Sequence, residues 1–267
     1  MIRFNRFKNG TKHIVTMSYD DARVEDKRLV ELFDKYGIRG TFHVNTDGAE
    51  NRVQPEEFSG VYKNHEVAVH TVTHPYLETV PVLTQMAEIV ENKKHIEDAV
   101  GYVARGMSYP FGTYTDEIIN TAKTCGIVYS RTVEATNGFC IPKDFMKWHP
   151  TCHHNGAAKL VDRFIGDLEI PWRTDLFYIW GHSYEFRTEE DWAMMEEICK
   201  KISGHESVWY ATNIEIYDYI MAQRALQISV DESIVHNPSA IEVWFEKDGK
   251  VYSVKSGETL KIKKNQA

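Results

Sequence analysis

The segment IVTMSYDD, residues 14–21, is the part of the sequence that decides the fold. Its first six residues have the length and composition of a buried strand, and the strand ends in two adjacent carboxylates, Asp20 and Asp21. A helical stripe follows and stops at Gly37, the usual position of a glycine just past a helix. An apolar run at 41–45 completes a strand–helix–strand unit, which favours a parallel α/β sheet.

The same alternation continues along most of the chain. Residues 132–172 interrupt it and are predicted to be rich in loops. The number of units fits a barrel better than a short open sheet, so residues 1–225 are predicted to form a (β/α) barrel. The patterns predict strands at 66–70, 102–109, 127–130, 176–180 and 208–211, and helices at 83–100, 115–125, 188–202 and 214–226.

The end of the chain changes to a period of two. Ile241, Val243 and Phe245 alternate with polar residues, and Asp248-Gly249 is a typical hairpin turn before another short apolar run. So few residues of β structure could hardly be stable alone. Residues 226–267 are therefore predicted to be a small β extension that packs on the barrel.

Composition excludes several classes of protein. The formal net charge of -8 argues against a nucleic-acid surface, and 42% hydrophobic with 26% charged residues is ordinary for a soluble globular protein. No apolar run is long enough to cross a bilayer, and the first residues show no apolar signal segment. The four cysteines form no C-x-x-C pair, which favours a reducing compartment. We expect a cytoplasmic protein with no membrane or nucleic-acid partner; the sequence does not indicate an oligomeric state.

Three groups of polar residues lie at the ends of predicted strands, where (β/α) barrels carry their active sites. The first is the Asp20–Asp21 pair, and the second is the segment HTVTH, whose histidines His70 and His74 could face one metal ion. The third is His182, at the end of the strand predicted at 176–180. Taken singly, a solvated turn or a structural histidine would explain each of them.

The order of these groups is more specific than any one of them. The aspartate pair, the His-x-x-x-His segment, then Arg105 with the segment YPFG, and finally a late strand ending in histidine resemble the polysaccharide deacetylase family. That family is also called the NodB-homology group or carbohydrate esterase family 4. The resemblance spans roughly residues 12–220 and implies a deformed (β/α) barrel of the NodB-homology type.

The resemblance also implies roles for the residues that match its motifs. Asp21, His70 and His74 would bind one divalent metal ion, with zinc expected first and cobalt, nickel or manganese as alternatives. Asp20 would be the general base, held in its ionised form by Arg105. His182 would be the general acid. The family's fourth motif has no clean match, so Glu134 and Asp175 are only candidates for orienting His182, and Glu185 could be either a partner of a site residue or a solvated charge.

The chemistry of acetyl hydrolysis asks for these residue types independently of the family. A cation with three protein ligands keeps a coordination position open and can lower the pKa of water to about 7. A neighbouring carboxylate can accept the proton of that water, a backbone N–H near Tyr109 could bind the developing oxyanion, and a histidine could protonate the leaving group. Tyr109, Pro110, Trp148 and Trp180 are expected to contact the substrate.

The sequence therefore predicts a metal-dependent hydrolase that removes acetyl groups from N- or O-acetylated saccharides. Two alternatives stay open. One is a cyclic-amide hydrolase of the allantoinase kind on the same fold. The other is a carbohydrate-binding relative that no longer turns over substrate.

Overall fold

The computed structural model describes residues 1–263 of the 267-residue chain. Its main feature is a curled sheet of eight parallel strands with helices packed against it. The helices are α1 (Asp26–Lys35), α2 (Phe58–Val61), α3 (Val82–Val100), α4 (Asp116–Thr124), α5 (His154–Leu168), α6 (Glu189–Ile202) and α7 (Asn213–Arg224). The strands are β1 (Ile2–Arg3), β2 (His13–Asp20), β3 (Gly40–Val44), β4 (Glu66–Val69), β5 (Gly106–Ser108), β6 (Tyr129–Arg131), β7 (Cys152–His153), β8 (Asp175–Gly181), β9 (Val208–Tyr210), β10 (Gln227–Ile228), β11 (Ile234–His236), β12 (Val243–Lys247), β13 (Lys250–Val254) and β14 (Thr259–Lys261).

The order of the strands shows how the sheet curls. It runs β6-β5-β4-β3-β2-β8-β7, and β9 pairs with the first half of β2. Beyond β6, Trp148 forms a parallel bridge with Arg131, so the segment leading to β7 also contacts the opposite edge of the sheet. The predicted deformed (β/α) barrel is confirmed.

The central strand β2 brings the polar motifs together. All eight of its residues are buried, because it has neighbours on both sides and helices against the sheet. In register, Asp20 lies opposite His43 of β3, and Tyr19 lies opposite Gly181 of β8. The residues that follow β2, β4 and β8 therefore meet at the carboxyl edge of one sheet.

Local signals predicted most helix boundaries, with one clear miss. Thr115 and Thr188 cap α4 and α6 through their side chains, as expected. The region predicted as loops contains the 15-residue helix α5. Its cap is His153 instead of one of the usual small polar residues, and glycines near both of its ends weaken the helical pattern. Tertiary packing of its apolar face decides its structure.

Residues 227–261, together with β1 from the start of the chain, form two small antiparallel sheets, β1-β12-β13 and β10-β11-β14. The predicted hairpin between β12 and β13 is present, and Asp248 and Gly249 both have positive φ, as a type I′ turn requires. Val243 and Phe245 belong to one buried apolar cluster with residues of α7. Since β1 joins this sheet, the extension also uses the start of the chain; a domain boundary at 225/226 stays a prediction.

Within residues 1–263, no helix has both the length and the apolar character needed to pass through a bilayer.

Candidate active site

Asp21, His70 and His74, here called the three-donor site, converge at the carboxyl edge of the sheet. Oδ1 of Asp21 lies 3.8 Å from Nε2 of His70 and 4.0 Å from Nε2 of His74. Two donors that each bind one ion at about 2.0 to 2.2 Å can be at most about 4.4 Å apart. The three side chains therefore fit a single divalent cation.

The surroundings of His70 prepare it as a ligand. Its Nδ1 lies 2.9 Å from the carbonyl oxygen of Ser108, which can only accept a hydrogen bond, so Nδ1 carries the proton and Nε2 presents a lone pair. The backbone N–H of His70 donates to Oδ1 of Asn92 at 3.0 Å. Burial and the nearby His74 lower the pKa of His70 well below its ordinary value, which keeps the ring neutral.

Charge balance also favours a cation at this point. Burial and the adjacent Asp20 carboxylate raise the pKa of Asp21 above its ordinary value, against the opposing effect of His182, His74 and Arg52. A divalent cation is the charge that would hold Asp21 ionised. The donor set of one carboxylate and two imidazoles is typical of zinc.

The backbone around the three-donor site is strained. Nine non-glycine residues within 1–263 have positive φ, and five of them lie in or beside the motifs. Thr71 is the least expected of these, since a β-branched residue rarely adopts φ of 66°. Such conformations cost free energy and persist where the surrounding structure imposes them, often at functional sites. The five residues are Asp21, Ala22, Thr71, His74 and Phe111.

Asp20 is buried at the end of β2 and is surrounded by positively charged or donor groups. Its Oδ2 accepts from Nη2 of Arg131, and its Oδ1 accepts from the Ser108 hydroxyl at 3.2 Å. Nδ1 of His43 lies 3.3 Å from Oδ1. Burial opposes ionisation, but Arg131, His70 and His43 outweigh it and lower the pKa of Asp20 well below its ordinary value.

The prediction that Arg105 holds Asp20 ionised is wrong. Arg105 forms a two-bond pair with Asp218 of α7, with distances of 3.0 and 2.6 Å. It precedes β5 and therefore lies near the amino edge of the sheet, whereas Asp20 lies at the carboxyl edge. Arg131 is the last residue of β6 and reaches the correct edge. Its position at the end of a predicted strand was the signal that could have identified it.

His182 follows β8 and lies beside Glu185, so the first of the two interpretations of Glu185, a partner of a site residue, fits the structure better than a solvated charge. Oε1 of Glu185 lies 3.4 Å from Nδ1 of His182. Burial lowers the pKa of His182, but Glu185, Asp20 and Asp21 outweigh that effect and raise it above its ordinary value. The other two candidates lie elsewhere: Asp175 pairs with His13 and Arg173, and Glu134 lies 3.9 Å from His149.

The expected substrate contacts are mostly wrong. Trp148 is 1% exposed and packs in the core against Tyr129 and Tyr178. Tyr109 and Pro110 are buried as well, and the Tyr109 hydroxyl donates to the backbone of the loop before Trp148. These aromatic residues fill space between β6 and the rest of the sheet, so packing explains them.

Two further details correct the predicted site. The backbone N–H of Tyr109 donates to the carbonyl oxygen of Arg131 at 3.1 Å, so it is already used and is not a donor for an oxyanion. Trp180 is buried, and its ring lies 4.4 Å from the guanidinium carbon of Arg131 and 5.5 Å from the ring of His182. The Trp180 ring therefore packs against both of these side chains.

A pair of aromatic rings that the sequence analysis missed lies beside the three-donor site. Tyr76 and Phe111 stack with ring centroids 3.6 Å apart, and they are 49% and 44% exposed. The edge of the stack touches His74, whose ring centroid lies 4.4 Å from that of Phe111. Exposed aromatic surface of this kind suits an apolar face of a sugar ring.

Comparison with known proteins agrees with this architecture. Residues 7–130 match the family model of the polysaccharide deacetylases. Chitin deacetylase 1 of Cryptococcus neoformans var. grubii is 26% identical over 141 residues, which cover 52% of this chain and 30% of that protein. The chain spans less than half the length of the curated relatives that it matches.

Solved structures show the same fold at low identity. A protein of Mycobacterium smegmatis assigned as a polysaccharide deacetylase has a TM-score of 0.61 at 15% identity, covering 84% of this chain and 96% of that one. The peptidoglycan deacetylase PdaC of Bacillus subtilis has a TM-score of 0.52 at 20% identity, covering 79% and 92%. The predicted resemblance is confirmed: residues 7–130, which hold the aspartate pair and both histidines of the three-donor site, match the family model of the polysaccharide deacetylases.

Proposed function

We propose that this protein removes acetyl groups from acetylated saccharides with the help of one divalent metal ion, zinc first among the candidates. The observation that carries the proposal is the convergence of Asp21, His70 and His74 beside the ionised, buried Asp20. A solvated turn and two structural histidines would not require five residues with positive φ to bring them together.

The three-donor site would hold the cation through one Oδ and two Nε2 atoms. When bound, a divalent cation polarises the acetyl carbonyl and lowers the pKa of nearby water. Asp20 accepts the proton of that water. Its depressed pKa keeps it ionised throughout the neutral range, so it is always ready to accept, although it is a weak base.

His182 donates the proton that the leaving group needs. Its pKa is raised, mainly because Glu185 and the two aspartates oppose the effect of burial, so the ring is charged over a wider pH range than a free imidazole. His182 follows β8, the strand next to β2, and so lies across the site from the strand that carries the histidines of the three-donor site. An amide leaving group depends on this proton more than an activated ester does, because an amine is a poor leaving group.

The neighbourhood of the site suits a saccharide. The stacked rings of Tyr76 and Phe111 give an exposed platform next to His74, within reach of a sugar whose acetyl group lies at the cation. The relatives named as chitin and peptidoglycan deacetylases favour an N-acetyl substrate. Because the chain matches only part of the chitin deacetylase, the size of the saccharide is a question for the experiment below.

The direct test is acetate release from a panel of N- and O-acetylated oligosaccharides and polymers, with allantoin as a comparison. We expect zinc- or cobalt-dependent release of acetate from at least one saccharide, and loss of it in Asp21→Asn. Ring opening of allantoin instead would identify a cyclic-amide hydrolase. Saccharide binding without any acetate release would contradict catalysis and favour a binding protein.

A further inference from the structure

A second cluster of donor atoms lies next to His182 and consists of His153, His154 and Glu185. The proposed reaction does not need these residues as ligands. Nε2 of His153 lies 2.9 Å from Oε2 of Glu185, and Nε2 of His154 lies 3.2 Å from the same oxygen. The three donor atoms all lie within 4.8 Å of one another. None of these residues belongs to the three-donor site.

The donor atoms are held in place by packing. His154 is 1% exposed, and its ring is stacked on Tyr19 with an angle of 12° between the planes. The ring also occupies the space where a side chain at Gly181 would begin, because a Cβ there would lie 2.0 Å from Nδ1 of His154. Glycine at the end of β8 is therefore what allows this imidazole to approach.

The contacts in this cluster do not have the geometry of hydrogen bonds. Oε2 of Glu185 is buried and has no hydrogen-bond partner among residues 1–263, despite two imidazole nitrogens within 3.2 Å. A buried carboxylate oxygen without a partner is costly and calls for an explanation. His153 and Glu185 are each only partly buried as side chains, so the cluster can be reached from solvent.

The two distances from Oε2 of Glu185 to the histidine nitrogens, 2.9 and 3.2 Å, are close to those between neighbouring donors of a metal site. In a tetrahedral zinc site with bonds of about 2.0 to 2.1 Å, neighbouring donor atoms are roughly 3.3 Å apart. Burial and the neighbouring His153 lower the pKa of His154 to about 3, so its ring is neutral, as a ligand must be. Helix α5 begins at His154, so the partial positive charge of its amino end lies beside the cluster. The negative charge of the Glu185 carboxylate offsets that partial charge.

We propose that His153, His154 and Glu185 bind a second divalent cation of the zinc type. The ion would be separate from the one at Asp21, His70 and His74. It would share Glu185 with His182, since Oε2 faces the two histidines of the cluster and Oε1 faces His182. The second ion would therefore lie one carboxylate away from the proposed general acid.

The test is metal stoichiometry, which does not depend on activity. The full chain is stripped with a chelator, dialysed against buffered zinc, and its bound zinc is counted by mass spectrometry. We expect two ions per chain in the wild type. His153→Ala and Glu185→Gln should each leave one ion, because loss of a ligand weakens metal binding at least as much as loss of a side chain that only orients a ligand, which costs about 10- to 100-fold. His74→Ala should also leave one ion, now in the second site.

Two controls keep the result specific. His149→Ala removes a partly exposed histidine of the same region that contacts Glu134 instead, and it should keep two ions. Circular dichroism and the unfolding midpoint show whether each variant is folded, and Glu185→Gln preserves the shape of the side chain, whereas His153→Ala removes a ring. A single ion in the wild type that His74→Ala removes, and that His153→Ala and Glu185→Gln both retain, would overturn the proposal, whereas loss of the ion at Asp21, His70 and His74 alone would count against the proposed function and not against the second site. The proposal would also be overturned by two ions that survive in both His153→Ala and Glu185→Gln, since the second would then lie elsewhere.

Discussion

The two sides of the active-site cleft are built in different ways. The metal side consists of Asp21, His70 and His74, which come from two short segments of sequence at the ends of β2 and β4. The acid side consists of Arg131, His182 and Glu185, which come from β6 and from the turn after β8. The sequence predicted that the three residues of the metal side would meet, as they do, and their role as metal ligands stays a prediction. On the acid side, only His182 was assigned its role.

This difference shows which site residues a sequence motif can identify. On the metal side, the spacing of residues along the chain fixes the distances between their side chains within each motif, because each motif is the end of one strand with the turn that follows it. On the acid side, the pairing of distant strands decides which side chains meet. Arg131 reaches Asp20 across β5, β4 and β3, over a separation of 111 residues. The following predictions test this comparison, from the largest expected effect to the smallest.

Asp20→Asn should abolish most of the turnover while the metal stays bound. The amide cannot accept the proton of water, and loss of a general base typically costs about 10² to 10⁴ in rate. The measurements are acetate release and bound zinc. Asp21→Asn is the matched control and should lose the metal first. Near wild-type turnover in Asp20→Asn would show that the base is another group.

Arg131→Met should destabilise the fold far more than Arg105→Met. Removing Arg131 leaves the buried Asp20 carboxylate without its guanidinium partner, which costs about 3–5 kcal/mol. The pair between Arg105 and Asp218 is partly exposed, so its loss should cost about 1 kcal/mol or less. Denaturant unfolding of the two variants decides between the two arginines.

The same pair predicts a dependence on pH. The pKa of Asp20 is lowered in the fold, so its contribution to stability is present above its unfolded pKa of about 4 and is lost as the pH falls through the lower, folded value. The difference in unfolding free energy between wild type and Arg131→Met should therefore shrink in acid. A difference that is constant with pH would show that Arg131 acts through packing on Trp180 instead.

His182→Ala should reduce amide hydrolysis by about 10², and hydrolysis of activated aryl acetates much less. An amine needs the proton that His182 donates, whereas an activated phenolate leaves without help. The measurement is the ratio of kcat/KM for the two substrate types. Equal losses on both would indicate that His182 positions the substrate and does not act as an acid.

Glu185→Gln should move the alkaline limb of the kcat/KM profile to lower pH. A general acid works only while protonated, and Glu185 is one of the groups that raise the pKa of His182. Removing the negative charge lowers that pKa, so activity is lost earlier as the pH rises. Glu134→Gln, which lies beside His149, should leave the limb in place. An unchanged limb in Glu185→Gln would exclude Glu185 as the partner.

Tyr76→Ala should raise KM by about fivefold with little change in kcat, because stacking on a ring of this size contributes on the order of 1 kcal/mol. The control is Trp172→Ala, which removes a ring that is 78% exposed and belongs to none of the contacts of the site. Equal effects of the two variants, or none, would show that the saccharide does not use the Tyr76–Phe111 stack.

The sequence by itself determined the order of strands and helices and the metal side of the cleft. Apolar periodicity located β2, β3, β4 and β8 within a residue or two, since buried parallel strands read as continuous apolar runs. Threonine caps marked the starts of α4 and α6. The Asp-Asp and His-x-x-x-His segments needed no tertiary information, because each lies within a single strand end and its turn.

Only the tertiary structure decided the rest. It shows that Arg131, and not Arg105, pairs with Asp20, because the two arginines lie at opposite edges of one parallel sheet. It also shows that Trp148 is buried in the core and that a segment with weak helical signals forms α5. Burial, pairing partner and edge of the sheet all depend on which distant strands become neighbours, and spacing along the chain carries no information about that choice.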